Sequence, residues 1–598
     1  MGRMSNVEAR GEGRRIALAA ILAIAPIIVL CAIHAPVYAT PPDDFVQELF
    51  ARDQFMAAES GGLMPYSLVL VSAPLSALYH LAPGVPWYAL TLLALIAASF
   101  AIAWREVLSL GLGVQKIVAV GAVMVLLEAI FTWYFTYTMV AFLTLAAGLL
   151  LIVPRACFQK TSNGGHGPAA TTSKVPVDDS ARPHLADVGG LALVAIGFSL
   201  RPESGMAALA VFAPFAVWVV ARNRRAASLV RMALVVAVVA ASWGAGQLAY
   251  RTAPGWEGFS DYLDAGRKVL DTQHLSVDEA RAAAPQLSEN DVEVLFDWDF
   301  VDHDVFGTGV FEQVGGSVST YGADHLIASL KAKITYLLIG LAALFALIVA
   351  VVCRELRLEG SVRVLAAAVA LMVLIDLMLI VMRGRPRLHV VIPVVATGVF
   401  ALIACARGPR RHVGRHAARA VSGAAAPRLN LPPFAVPVAV SLICAVGFAG
   451  FYLAGIRPLQ RRTEGLPFAS ATQAYVDSHP DEIVAFLHTQ ATWFSVEDAF
   501  ASSAWKCPDN VMFVGGWESE TLPWATALER WGLDEGSPLL SMATRGDMVA
   551  VAQPAVAKLM ETYLREHVDD AVRAVKVEDL GPGAVTSDML SVYRFERG

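Results

Sequence analysis

Residues 16–37, IALAAILAIAPIIVLCAIHAPV, decide the fold class. They are apolar almost throughout and follow a basic N-terminus holding Arg3, Arg10, Arg14 and Arg15. A helix needs about 20 apolar residues to cross the hydrocarbon core of a bilayer. This run is long for a cleaved secretory signal and many similar runs follow, so it reads as a retained first span. Of the 598 residues, 56% are hydrophobic and 16% charged, against about 25% charged in a soluble domain. One large water-soluble core is therefore excluded.

Further apolar runs lie at 64–82, 86–104, 116–131, 134–153, 186–200, 205–221, 229–250, 331–353, 362–382, 389–406 and 434–455. With the first run at 16–38, they imply an α-helical polytopic membrane protein of roughly 11–13 transmembrane helices. Lys and Arg concentrate in cytoplasmic loops. The clusters Arg222–Arg225, Arg354/Arg357/Arg363 and Arg407–Arg419 are mutually consistent as cytoplasmic. The loops 39–63 and 251–330, the turn Arg383–Leu388 and the chain beyond Gly455 then lie outside. An inner N-terminus, twelve spans and an outer C-terminus conflict by parity. The number must be odd, and the conflict lies before residue 105: either 64–82 does not cross, or one span is missed.

These patterns divide the chain into a membrane domain, 1–455, and a soluble extracytoplasmic α/β domain, 456–598. In the latter, 510–514, 548–551 and 591–595 read as strands and 554–567 as a helix. No Gly-rich phosphate loop or Ser/His/Asp pattern stands out there. The Gly/Ser/Thr/Pro-rich stretch 158–183 reads as a cytoplasmic linker. Six cysteines without a Cys-x-x-Cys pair indicate neither a zinc ribbon nor a disulfide framework.

Four segments carry unusual polar residues. Thr40-Pro41-Pro42-Asp43-Asp44-Phe45 follows the first span. Two carboxylates at a membrane surface suit a general base and a cation ligand. They also suit a helix start, with Gln47 three residues past Asp44 as in a capping box. The turn Arg201-Pro202-Glu203 sits between two spans, where Pro202 breaks the helix. It reads either as a site or as a self-paired turn. Arg383-Gly384-Arg385-Pro386-Arg387-Leu388-His389 clusters three arginines on the outer face, where a guanidinium fork matches phosphate. The alternative there is an anchor to lipid headgroups. The acidic stretch Leu287–Phe306 has no EF-hand spacing and is expected to be a solvated helix face. Trp256, Phe259, Tyr262 and Trp298 nearby are expected at the membrane interface.

Together these segments resemble the GT-C superfamily of membrane glycosyltransferases, which use polyprenyl-phosphate sugar donors. The resembling features are the acidic pair Asp43-Asp44 after the first span and the segment Met64-Pro65-Tyr66-Ser67. With them go the Gly-rich run Gly189–Ser204 ending in Arg-Pro-Glu, and Arg387 followed by an apolar run to Pro393. The sequence departs from the family in having Asp44 where Glu is common and Leu388 where Tyr is frequent. The loop 251–330 matches no subfamily of known substrate. The resemblance covers residues 1–455 and implies inverting transfer of a sugar to a cell-envelope glycan, lipid or protein acceptor. Asp43 is then the base and Asp44 an assisting or cation-binding carboxylate, with Mg or Mn as the candidate divalent cation. Arg385 and Arg387 hold the donor phosphate, and Arg201, Glu203 and His389 orient the site. The setting implied is a bacterial plasma membrane, with no nucleic-acid partner. A transporter or flippase of a phosphate-bearing lipid or glycan is the alternative.

Overall fold

The computed structural model describes residues 2–38, 41–158, 185–270, 275–317, 345–346, 348–382, 387–410, 435–457, 467–487, 499–582 and 589–598. Among them, eight helices are long and apolar enough to cross a membrane: Gly11–Ile33, Trp87–Ser109, Val114–Trp133, Tyr137–Phe158, Pro202–Arg222, Ala226–Thr252, Gly360–Met382 and Leu388–Ala406. Val69–Leu81, Leu185–Leu200 and Val438–Phe451 are shorter apolar helices. Ile16, Ile21, Ile24, Ile28, Val29 and Ile33 of the first helix are exposed, as an apolar face in lipid requires. Most of the expected run 331–353 lies outside the described residues.

Polar contacts sort the helix ends into two layers. At one end Arg105 pairs with Glu12 at 2.6 Å, Arg407 with Glu106 at 3.3 Å and Lys116 with Glu355 at 3.0 Å. Asp187 pairs there with Arg155 and Arg231 at 3.4 and 3.1 Å. At the other end the two-residue strands β1 (Val37–Tyr38) and β2 (Tyr134–Phe135) pair in parallel. Asp44, Tyr88, Tyr137 and Arg201 meet beside them.

The helix Val69–Leu81 does not pass between the layers. Its 13 residues span only about 20 Å at 1.5 Å each, short of the roughly 30 Å core. Both of its ends are tied to the second layer. The Leu68 N–H donates to the Ser199 carbonyl at 2.7 Å, and the Tyr79 hydroxyl donates to Glu48 at 3.1 Å and accepts from the Tyr88 N–H at 2.9 Å. From one described segment to the next the chain therefore changes layer eleven times, counting Ser317 to Glu355 as one passage. That odd number removes the parity conflict in the sequence reading.

Helices Tyr137–Phe158 and Leu185–Leu200 approach most closely through glycines. A Cβ on Gly148 would stand 2.5 Å from the Gly190 carbonyl oxygen, and one on Gly197 2.6 Å from the Leu145 amide nitrogen. Small residues allow such backbone contact inside a membrane. The contact brings Arg201, just past the second helix, against the start of the first.

The C-terminal domain has a five-stranded sheet in the order β4-β3-β5-β7-β6. Its strands are β3 (Ile483–Phe486), β4 (Val511–Phe513), β5 (Met548–Ala552), β6 (Val572–Pro582) and β7 (Met589–Arg597). The first three are parallel, and β7 runs antiparallel to β5 and β6. All three expected strands and the helix Pro554–His567 are present. β5 is buried on every residue, as a parallel strand covered on both faces should be.

The stretch Leu287–Phe306 is not the solvated face expected of it. Asp299 and Asp302 are 0% exposed and Asp291 is 1% exposed. Asp302 accepts from the Leu539 N–H and the Tyr563 hydroxyl, both at 2.7 Å, and Asp291 faces His567 at 2.7 Å. Buried carboxylates need such partners, and for Asp291 and Asp302 the C-terminal domain supplies them. Trp256, Phe259 and Tyr262 are likewise buried in protein, and Trp298 packs on Trp517 at 5.5 Å.

Burial pushes the Asp302 carboxyl up to about 7, although the bonds from Tyr563 and Leu539 favour its charged form. The folded chain then holds this proton more tightly than the unfolded chain does. Its stabilising contribution is full at low pH and is lost as pH rises toward 7. We expect the unfolding midpoint to fall between about pH 4 and 7 and Asp302→Asn to flatten that fall. Thermal unfolding of both proteins across this range checks it; parallel curves would exclude the effect.

Candidate active site

The acidic pair opens the helix Pro41–Ala51, with both carboxylates in its first turn. Their neighbours differ. Asp44 is 0% exposed, and its Oδ1 accepts from the Tyr88 hydroxyl at 3.0 Å and the Tyr137 N–H at 2.9 Å. Asp43 is only partly buried. The capping-box reading of Gln47 does not hold, because both atoms of its carboxamide lack a partner. Glu48, one turn beyond Asp44, is buried and accepts from Tyr38, Tyr79 and Ser502. Ser502 belongs to the C-terminal domain, so this bond ties the helix to it. Burial raises the Glu48 carboxyl above the usual range.

Asp43 faces a basic and aromatic cluster. Its charge acts on the hydroxyls of Tyr66 and Tyr137. Tyr66 has φ +65, a left-handed conformation costing a non-glycine residue about 1–3 kcal/mol. Neighbours on two helices hold that turn. The Tyr250 hydroxyl is shared between the Met64 and Ser67 carbonyls at 2.7 and 2.8 Å, and the Ser67 hydroxyl donates to Leu200 at 2.8 Å. The Tyr66 ring consequently lies between two guanidiniums, 5.8 Å from Arg201 and 5.6 Å from Arg267.

Arg201 precedes a helix that begins at Pro202, so the expected break is present. The Arg201–Glu203 pair of the turn is present but is not self-contained. Arg201 donates to the Tyr137 hydroxyl and to Thr138 at 3.1 Å, and stands 3.7 Å from Glu203. Glu203 also pairs with Arg267, from the helix Phe259–Leu270.

Arg387 is exposed at the start of the helix Leu388–Ala406, and its charge reaches Tyr134 in β2. It thus stands at the same end of the bundle as Asp43. His389 follows in that helix and is partly buried. Arg385 lies outside the described residues.

Two residues of the cluster escaped the sequence reading. Arg267 sits in a loop helix with no motif around it. Glu518 belongs to the C-terminal domain, and its carboxyl lies within electrostatic reach of Asp43 and Tyr66. Burial, with the Asp43 charge acting in the same direction, pushes it up to about 8. The run Gly515-Gly516-Trp517-Glu518, where two glycines precede a bulky and a charged residue, was the available signal.

The pair Asp43/Asp44 does not fit a divalent cation. Calcium takes six to eight oxygen ligands, and magnesium near-ideal octahedral coordination, whereas Asp44 is enclosed and the nearby positive charge comes from arginines. Among the described residues the group able to offer three metal ligands is Asp291, Glu566 and His567, elsewhere in the fold.

No protein-family model matches the chain, and no curated protein matches it in sequence. In structure it is similar to crystallised ArnT from Cupriavidus metallidurans bound to undecaprenyl phosphate, over 97% of each chain. The identity is 12% and the TM-score 0.32, values at which the likeness carries no argument about activity.

Proposed function

We propose that the chain is a membrane glycosyltransferase that moves a sugar from a polyprenyl-phosphate donor to an acceptor hydroxyl. The carrying observation is the convergence of Asp43, Tyr66, Arg201, Glu203 and Arg267 at the end of the bundle where the C-terminal domain packs. The basic clusters at the opposite end support placing this site on the outer face. A lipid-linked donor suits that side, since the lipid itself delivers the sugar to the membrane surface.

In the reaction the acceptor oxygen attacks the anomeric carbon. The bond from that carbon to the phosphate oxygen breaks, its electron pair passing to the phosphate. Asp43 accepts the hydroxyl proton. Arg387, with Arg385, meets the phosphate and stabilises the charge that develops on it. Arg201 and Glu203, braced by Tyr137 and Arg267, keep Tyr66 and Asp43 in register, and His389 follows Arg387 by two residues. Asp44 serves as the strut that fixes the helix Pro41–Ala51 against Tyr88 and Tyr137.

The test is transfer by the purified full-length protein, using polyprenyl phosphates charged with hexoses or pentoses. Sugar should leave the lipid and appear on an acceptor or on water. Movement of the lipid across a proteoliposome membrane with no such product would favour the flippase. Arg387→Ala is expected to raise the donor KM by about tenfold or more, the loss of a charge-assisted contact. An unchanged donor KM would remove Arg387 from the phosphate site.

A further inference from the structure

We propose that Glu518 positions the acceptor hydroxyl against Asp43, so that the C-terminal domain supplies part of the reaction centre. This rests on the transferase reading above and assigns the soluble domain a role in it.

The turn carrying Glu518 joins β4 to the helix Leu522–Trp531. Three glycines of the long loop receive it. A Cβ on Gly266 would stand 2.8 Å from the Trp517 ring, one on Gly258 2.7 Å from the Glu520 carboxylate, and one on Gly255 2.9 Å from Leu522. Ser519 bonds His303 at 3.0 Å, and His303 faces Glu520 at 3.3 Å. The Thr521 hydroxyl donates back to the Glu518 carbonyl at 2.6 Å. Residues on both sides of Glu518 are thus locked to the loop that also presents Arg267. Glu518 itself remains partly exposed. A half-buried side chain on a rigid frame, beside a candidate base, is placed to touch a ligand.

The groups facing Glu518 are Asp43 from the helix Pro41–Ala51 and Tyr66 from its turn. Arg267 acts on the same Tyr66 from the loop helix, and Arg201 stands over the same ring. Two carboxyls sharing a site do not both ionise readily. With Asp43 charged, Glu518 keeps its proton and offers one O–H donor and one carbonyl acceptor. The O–H donates to the oxygen of an acceptor hydroxyl and leaves that hydroxyl's own proton turned toward Asp43. During transfer the hydroxyl proton goes to Asp43 and Glu518 retains its own.

The experiment uses the full-length protein in nanodiscs with a polyprenyl-phosphate hexose as donor and an octyl glycoside as acceptor. Hydrolysis to water is followed alongside. Glu518→Ala is expected to raise the acceptor KM by about tenfold or more while donor KM stays near wild type. Glu518→Gln, which still donates and accepts, should remain within about threefold. Wild-type transfer should decline as pH rises through about 8, and this alkaline limb should be missing in Glu518→Gln. An unchanged acceptor KM in Glu518→Ala, or an equal rise in donor KM, overturns the proposal. If the alanine protein does not fold, an alkaline limb retained in Glu518→Gln overturns it instead. A wild-type protein that releases sugar from no polyprenyl phosphate overturns the transferase reading itself, a distinct result.

Discussion

Asn in place of Asp43 is expected to lower the turnover of transfer by about 10²–10⁴-fold, the range for losing a general base. The fold should tolerate the change. Asp43 is partly exposed on the first turn of its helix, and the amide keeps the shape of the carboxyl. An uncharged side chain accepts a hydrogen bond but cannot take the acceptor's proton at neutral pH. The loss should therefore fall on kcat, with donor KM little changed. Transfer kinetics together with an unfolding curve check both halves. Full activity in a folded Asp43→Asn protein would take Asp43 out of the mechanism.

The neighbouring substitution should do the opposite. Asp44→Ala deletes a fully buried acceptor and leaves the Tyr88 hydroxyl and the Tyr137 N–H without it. Each buried group left unpaired costs about 1–3 kcal/mol, so a total loss of about 2–6 kcal/mol is expected. Asp44→Asn keeps an acceptor oxygen and should lose less. Unfolding of the two variants in detergent measures the difference. Wild-type stability in Asp44→Ala would contradict the strut. Lost transfer at wild-type stability in Asp44→Asn would instead assign Asp44 to the chemistry.

These two residues are indistinguishable as letters. What separates them is rotation: successive residues on a helix point about 100° apart, so one enters the core while its neighbour faces the cleft. The same limit applied to the acidic loop. Asp291 and Asp302 read as solvated because their partners, His567 for the first and Leu539 and Tyr563 for the second, lie over two hundred positions later in the chain. By contrast, Pro202 ended one helix and began the next as expected, because proline acts on the backbone at its own position. The strand Met548–Ala552 and the helix Pro554–His567 were also legible, one as an unbroken apolar run and the other by its periodicity.

The membrane class and the odd number of crossings were determined by the sequence alone. Both follow from quantities local to each segment, the length of an apolar run and the charges at its ends. Tertiary structure alone decided that Val69–Leu81 stays in one layer, that Asp44 is enclosed while Asp43 is partly exposed, and that Glu518 comes within electrostatic reach of Asp43. Each of these depends on which distant groups satisfy a buried or half-buried polar atom, and no local pattern encodes that pairing.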